Sequence, residues 1–80
     1  MSLFVLYKVY KNNLRLEGVY DDIDLCYLYV NHKRTTNHIT LFHKRMIDQD
    51  DIKDVINHHN QYSNQQCDYV IEEIVLNQNY

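Results

Sequence analysis

The sequence predicts an α+β domain: a small antiparallel sheet, built from an N-terminal hairpin and a C-terminal strand with a third internal stretch as candidate fourth strand, and two helices on one face of it. Three observations carry this expectation. Short runs of alternating or continuous apolar residues, the period of strands, stand at both ends of the chain. Two internal stretches repeat apolar residues at steps of three and four, and each opens on a cluster of aspartates. Finally, 80 residues with 45% apolar and 24% charged side chains suit one folded domain, residues 1–80, with a small core.

The elements follow in order. Residues 3–10, LFVLYKVY, put Leu3, Val5, Tyr7 and Val9 on one side and Phe4, Leu6 and Tyr10 on the other. A strand apolar on both faces belongs inside a sheet. Lys11, Asn12 and Asn13 supply a turn, since asparagine tolerates the left-handed backbone of tight hairpins. Residues 14–20 return with Leu14 and Leu16 alternating with Arg15 and Glu17, until Gly18, the one glycine, breaks the alternation in the manner of a bulge or a close approach.

Asp21 or Asp22 then caps a helix, and Asp24 lies in its first turn, where the helix dipole favours negative charge. Ile23, Cys26, Tyr27 and Val30 form one face, and His32, Lys33 and Arg34 close the C-terminal turn with the matching sign. Residues 35–47, which include HITLFHKRMI, fit two templates. Ile39, Leu41 and His43 alternate as in a strand, whereas Ile39, Phe42 and Met46 fit a helical face; the Thr and Ile content tips the reading to strand. Residues 48–62 read as a second helix, capped by Asp48, with Asp50, Asp51 and Asp54 in its first two turns and Ile52, Val55, Ile56, His59 and Tyr62 along one side. Residues 63–66 are a polar linker. In the last strand, 67–77, Tyr69, Ile71 and Val75 oppose Val70, Ile74 and Leu76, and the interruption by Glu72 and Glu73 suggests a far half at the sheet's rim.

The inventory is poor in catalytic and metal-binding patterns. Two cysteines, Cys26 and Cys67, without CxxC spacing, read as small core residues in a reducing compartment. Five histidines include the neighbours His58 and His59, which diverge by about 100° on a helix, and no His-x-x-x-His pair occurs. His59 on the apolar face reads as a hydrogen-bonded, partly buried imidazole. Glu72 and Glu73 point to opposite faces of a strand and cannot act on one atom. One glycine cannot build a phosphate-cradling loop, and neither Ser2 nor Ser63 sits in a nucleophile elbow. The aspartates before each helix serve as caps, and a cation loop needs alternating oxygen ligands with a glycine turn. The expectation is a protein that is not an enzyme and holds no cofactor and no metal.

Net charge is −3, divided unevenly: residues 1–47 carry seven Lys/Arg against four acids, residues 48–80 one against seven. With a pI near 5.9, the balance argues against a nucleic-acid binder and for a protein partner. Lys33, Arg34, Lys44 and Arg45 beside Tyr27 or Tyr29 are the alternative, a small basic patch for stacking and holding nucleic acid. No stretch approaches 18 apolar residues and no basic-then-apolar leader is present, so an intracellular, non-membrane, non-secreted protein is expected. The absence of alanine beside abundant Tyr, Asn and Ile is the usage of an AT-rich genome.

Gly18, Val19 and Tyr20 followed by Asp21 and Asp22, and the closing Tyr69, Ile71 and Glu73, resemble a loose group of very small ββα…β proteins of bacteriophages and giant, mimivirus-like DNA viruses. In that group a hairpin ends in Gly-(Val/Ile)-(Phe/Tyr), acidic or Ser residues cap a helix, and a small residue, usually alanine, packs it on the sheet. Cys26 takes that small-residue position here. The similarity covers a little over half the chain, with no counterpart for residues 35–65. Its motifs are packing and capping signals, and it implies a fold and a viral source but no activity. The expected function is therefore that of a viral interaction protein, in the virion or the host cytoplasm, acting on itself as a homodimer or on a host or viral protein. Tyr7, Tyr10 and Tyr69, on the sheet face or edge not covered by helices, are the candidate contacts.

Overall fold

A computed structural model describes residues 1–33, 38–62 and 66–76, with the side chains of residues 38–40, 62, 66 and 67 excluded. Six elements follow one another: β1 (Ser2–Val9), β2 (Leu14–Tyr20), α1 (Ile23–His32), β3 (His38–Arg45), α2 (Gln49–Tyr62) and β4 (Gln66–Val75). The four strands form one sheet in the order β2-β1-β4-β3. The protein has the expected α+β fold, and residues 38–45 are the fourth strand.

Two details of the expectation are corrected. The sheet is mixed: β1 pairs antiparallel with β2 and β4, but β3 pairs parallel with β4. Parallel neighbours need a crossover, and α2 provides it. The helices also lie on opposite faces. Leu6, Tyr69 and Ile71 pack with Cys26 and Val30 of α1, joined by Phe4, Tyr20, Ile23, Tyr29 and Leu41. The alternate residues of the same strands, Tyr7, Val70, Phe42 and Glu72, face α2 and the segment leading into it. The cause is visible in the two central strands, where Val5 and Leu6, and Val70 and Ile71, are all buried. Strands apolar on both sides need a cover on each.

Local chemistry sets the element ends. The hairpin closes with the Tyr10 N–H donating to the Asn13 carbonyl at 2.8 Å. The β1–β2 register shifts between Leu6, opposite Gly18, and Tyr7, opposite Leu16, so Glu17 is the extra residue of a bulge. Gly18 is needed there because the Tyr20 ring lies over it: a Cβ would stand 2.9 Å from Cε2 and Oη of Tyr20. Asp22 caps α1, its Oδ1 accepting from the Asp24 N–H at 2.9 Å. At α2 the capping is reciprocal: Asp48 Oδ1 accepts from the Asp51 N–H at 2.9 Å, and Asp51 Oδ2 from the Asp48 N–H at 3.1 Å. Met46, with φ of 53°, turns the chain from β3 toward α2.

The two layers differ in finish. Beneath α1 the core is closed. Ile52, Val55 and Ile56 of α2 are only half-buried, and a 560 Å³ groove separates that helix from Leu14, Phe42 and Val70. Polar anchors hold α2 around the groove: Lys44 Nζ to Asp51 Oδ1 at 2.6 Å, the Ile47 N–H to Glu72 Oε2 at 2.9 Å, Asn60 Nδ2 to the Lys11 carbonyl at 2.9 Å, and His59 Nδ1 to Asp68 Oδ2 at 2.8 Å. His58 meets the Phe42 ring edge-on.

Candidate interaction surfaces

The expected contact tyrosines do not share a surface. Tyr69 is only 2% exposed and belongs to the core under α1, because β4 is a central strand and not a rim. It is withdrawn as a contact residue. Tyr7 is half-buried on the α2 side, its Oη 3.5 Å from Glu72 Oε1. Burial first, and the Glu72 carboxylate second, push its phenol above the ordinary 10.0. Tyr10 follows the end of β1, half-buried, with Lys8 Nζ 5.5 Å above its ring. The condition for using β1 as an open face, that one side be bare, fails along its centre.

The basic residues are not gathered either. Lys44 and Arg45 are consecutive on β3 and project to opposite faces, each into a carboxylate: Lys44 to Asp51, and Arg45 Nε to Glu73 Oε2 at 3.1 Å. Lys33 closes α1 with its Nζ 5.8 Å over Tyr29. Arg34 lies outside the described residues. Glu72 and Glu73 are half-buried acceptors, Glu73 also facing His43 Nε2 at 3.4 Å.

Among the groups with chemical potential, burial moves the Cys26 thiol above its ordinary 9.0, away from the thiolate that a nucleophile requires. The Cys67 side chain lies outside the described residues. Among the described residues no three His, Cys, Asp or Glu side chains converge as metal ligands. Asp21 and Asp24 are exposed at the start of α1, and Asp22 serves its backbone.

What the structure does expose is apolar. On the α2 side of the sheet, Val19 (54% exposed) and Ile74 (41%) flank half-buried Leu3, and Leu16 (57%) lies farther along β2, opposite Tyr7. On the other side α1 is apolar nearly all round: Leu25 (43%) and Leu28 (66%) face outward and, with Tyr20, Tyr29 and His32, line a shallow groove. A helix apolar on all sides ordinarily lies inside a larger packed unit. The signal was present in the sequence, since Leu25 and Leu28 fall off the face formed by Ile23, Cys26 and Val30.

No family model, no curated protein and no solved structure matches the chain. Among the described residues no helix is long and apolar enough to cross a membrane.

Proposed function

We propose that this chain is a small, non-enzymatic viral protein that acts by binding another protein, as a virion component or on a host factor. The observation that carries the reading is the exposed apolar side chains on the sheet, Val19 and Ile74 beside half-buried Leu3, with Leu16 farther along β2. Bare apolar clusters beside an edge strand are the mark of a protein-docking site, not of a nucleic-acid groove. The dispersed and paired cations Lys44 and Arg45 support a protein partner over nucleic acid, which needs unpaired cations along a track. The resemblance of Gly18–Asp22 and Tyr69–Glu73 to small viral domains supports the source.

The test is affinity capture from cells expressing the tagged protein, set against a Leu16→Lys/Val19→Lys variant. A partner held by the parent and lost by the variant is the expected result. Identical captured proteins from both, or salt-sensitive nucleic acid as the retained species, would remove the basis of the proposal.

A further inference from the structure

We infer that the slot between α2 and the sheet binds a small amphiphilic organic cation, its apolar chain beneath the helix and its ammonium group at Asp54. The site lies apart from the apolar side chains proposed for protein docking, and it goes beyond that reading.

Helix α2 is pinned near both ends. Toward its start Lys44 Nζ meets Asp51 Oδ1 at 2.6 Å and the Ile47 N–H donates to Glu72 Oε2 at 2.9 Å. Toward its finish His59 Nδ1 meets Asp68 Oδ2 at 2.8 Å and Asn60 Nδ2 donates to the Lys11 carbonyl at 2.9 Å. The apolar middle between these anchors does not seal. Leu14 of β2, Val70 of β4 and Phe42 of β3 line one wall of a 560 Å³ slot, and Ile52 and Val55 of α2 line the other. All but Val70 are only half-buried, whereas Leu6, Cys26 and Ile71 under α1 are fully buried. Because β2 and β3 are the two outer strands, the slot crosses the sheet, a span of about 14 Å at the usual strand spacing. A mainly apolar cleft of this volume with a few polar groups has the character of a small-molecule site.

Charge selects the occupant. Among the described residues, the acids and the lysine that line the slot are Asp51, Asp54 and Lys44. Lys44 and Asp51 answer each other, and the second oxygen of Asp51 accepts from the Asp48 N–H. Asp54 is exposed and makes no hydrogen bond or ion pair among the described residues. It stands three residues after Asp51 and four before His58, so the three share one flank of the helix, beside the Phe42 ring that His58 meets edge-on. An ammonium group seated there gains an unshared carboxylate. A carboxylate head group would meet Asp54 as a like charge and find Lys44 already engaged. Since an exposed ion pair contributes modestly, the buried chain supplies most of the affinity and Asp54 supplies the preference of sign.

The test is an NMR titration of the methyl-labelled full chain at neutral pH with octylammonium, octanol and octanoate. Octylammonium should move the methyl signals of Ile52, Val55 and Val70 and leave those of Leu25, Leu28 and Val19 in place. It should bind about two- to five-fold more tightly than octanol, with octanoate the weakest of the three. Asp54→Asn, at an exposed position, should erase that preference and leave the affinity for octanol unchanged. Three results would overturn the inference: signals that stay still up to the solubility limit of octylammonium or move on α1 or at Val19 instead, octanoate binding as tightly as octylammonium, or a preference that survives Asp54→Asn. Leu16→Lys/Val19→Lys should bind octylammonium as the parent does, so a failed capture experiment strikes the docking proposal and leaves the slot standing.

Discussion

His59 and Asp68 meet through a 2.8 Å contact between Nδ1 and Oδ2 that ties the last turn of α2 to the central strand β4. Asp68 is wholly buried, and among the described residues its second oxygen, Oδ1, has no hydrogen-bond partner. A buried carboxylate that leans on one imidazole is a point of high sensitivity. His59→Leu should cost about 3–5 kcal/mol in urea unfolding, because it strands the carboxylate. Adding Asp68→Leu should recover much of that loss. A double variant no more stable than the single one would show that the pair is not coupled.

Gly18 and Tyr20 should be coupled through space. Gly18→Ala brings a methyl within 2.9 Å of the Tyr20 ring, and overpacking of this kind costs about 1–3 kcal/mol, more than the 0.5–1 kcal/mol or so regained in backbone entropy. The net expectation is a loss of about 1 kcal/mol. In a Tyr20→Ala background the ring is gone, and the same change should be neutral or stabilising. Thermal unfolding of the four chains decides it.

Alkali should weaken the fold through Tyr7 and Cys26. Both are held protonated more firmly in the folded chain than in the unfolded one, chiefly by burial and, for Tyr7, also by Glu72. Groups raised in this way contribute fully below their ordinary values of 10.0 and 9.0, and the contribution is lost as pH climbs through the raised folded values. Stability should therefore fall on the alkaline side of pH 9, the ordinary thiol value. Tyr7→Phe should flatten the steeper part of that decline, above the ordinary phenol value. An unchanged slope in the variant would exclude Tyr7 as a source.

The aspartates at the helix starts should behave as caps. Asp22→Ala and Asp48→Ala each remove an oxygen that accepts a backbone N–H and should each cost about 1 kcal/mol. Asp50→Ala, an exposed first-turn position, should cost only a few tenths of a kcal/mol through the helix dipole. If the cap variants match Asp50→Ala in chemical denaturation, the capping account is wrong.

The contrast between these residues explains how much the sequence disclosed. Element positions were legible because they rest on local chemistry: the 2-residue period of Leu3–Val9, the aspartate caps, and the alternation broken at Gly18, which the structure resolves as a bulge with a ring above it. The side of the sheet taken by each helix was not legible, because it depends on which strands become neighbours. The two-sided apolar character of residues 3–10 implies two covers, one on each face, and that is what the helices supply. Tyr69 misled for the same reason: alternation tells which residues share a face, but not whether that face is roofed. The pairing of His59 with Asp68 joins α2 to β4 in three dimensions, and only the partly buried state of His59 followed from its place on the helix.

The sheet's two inner strands, β1 and β4, come from opposite ends of the described chain. During synthesis β1 emerges before β4, and its second edge is filled only once β4 follows. Until then β3 has no neighbouring strand, and Leu6 lacks its partner Ile71. Completion of the sheet thus waits for β4, and a chain stalled or cleaved before residue 66 leaves β1 and β3 without that partner. Such fragments should aggregate rather than form a smaller stable domain.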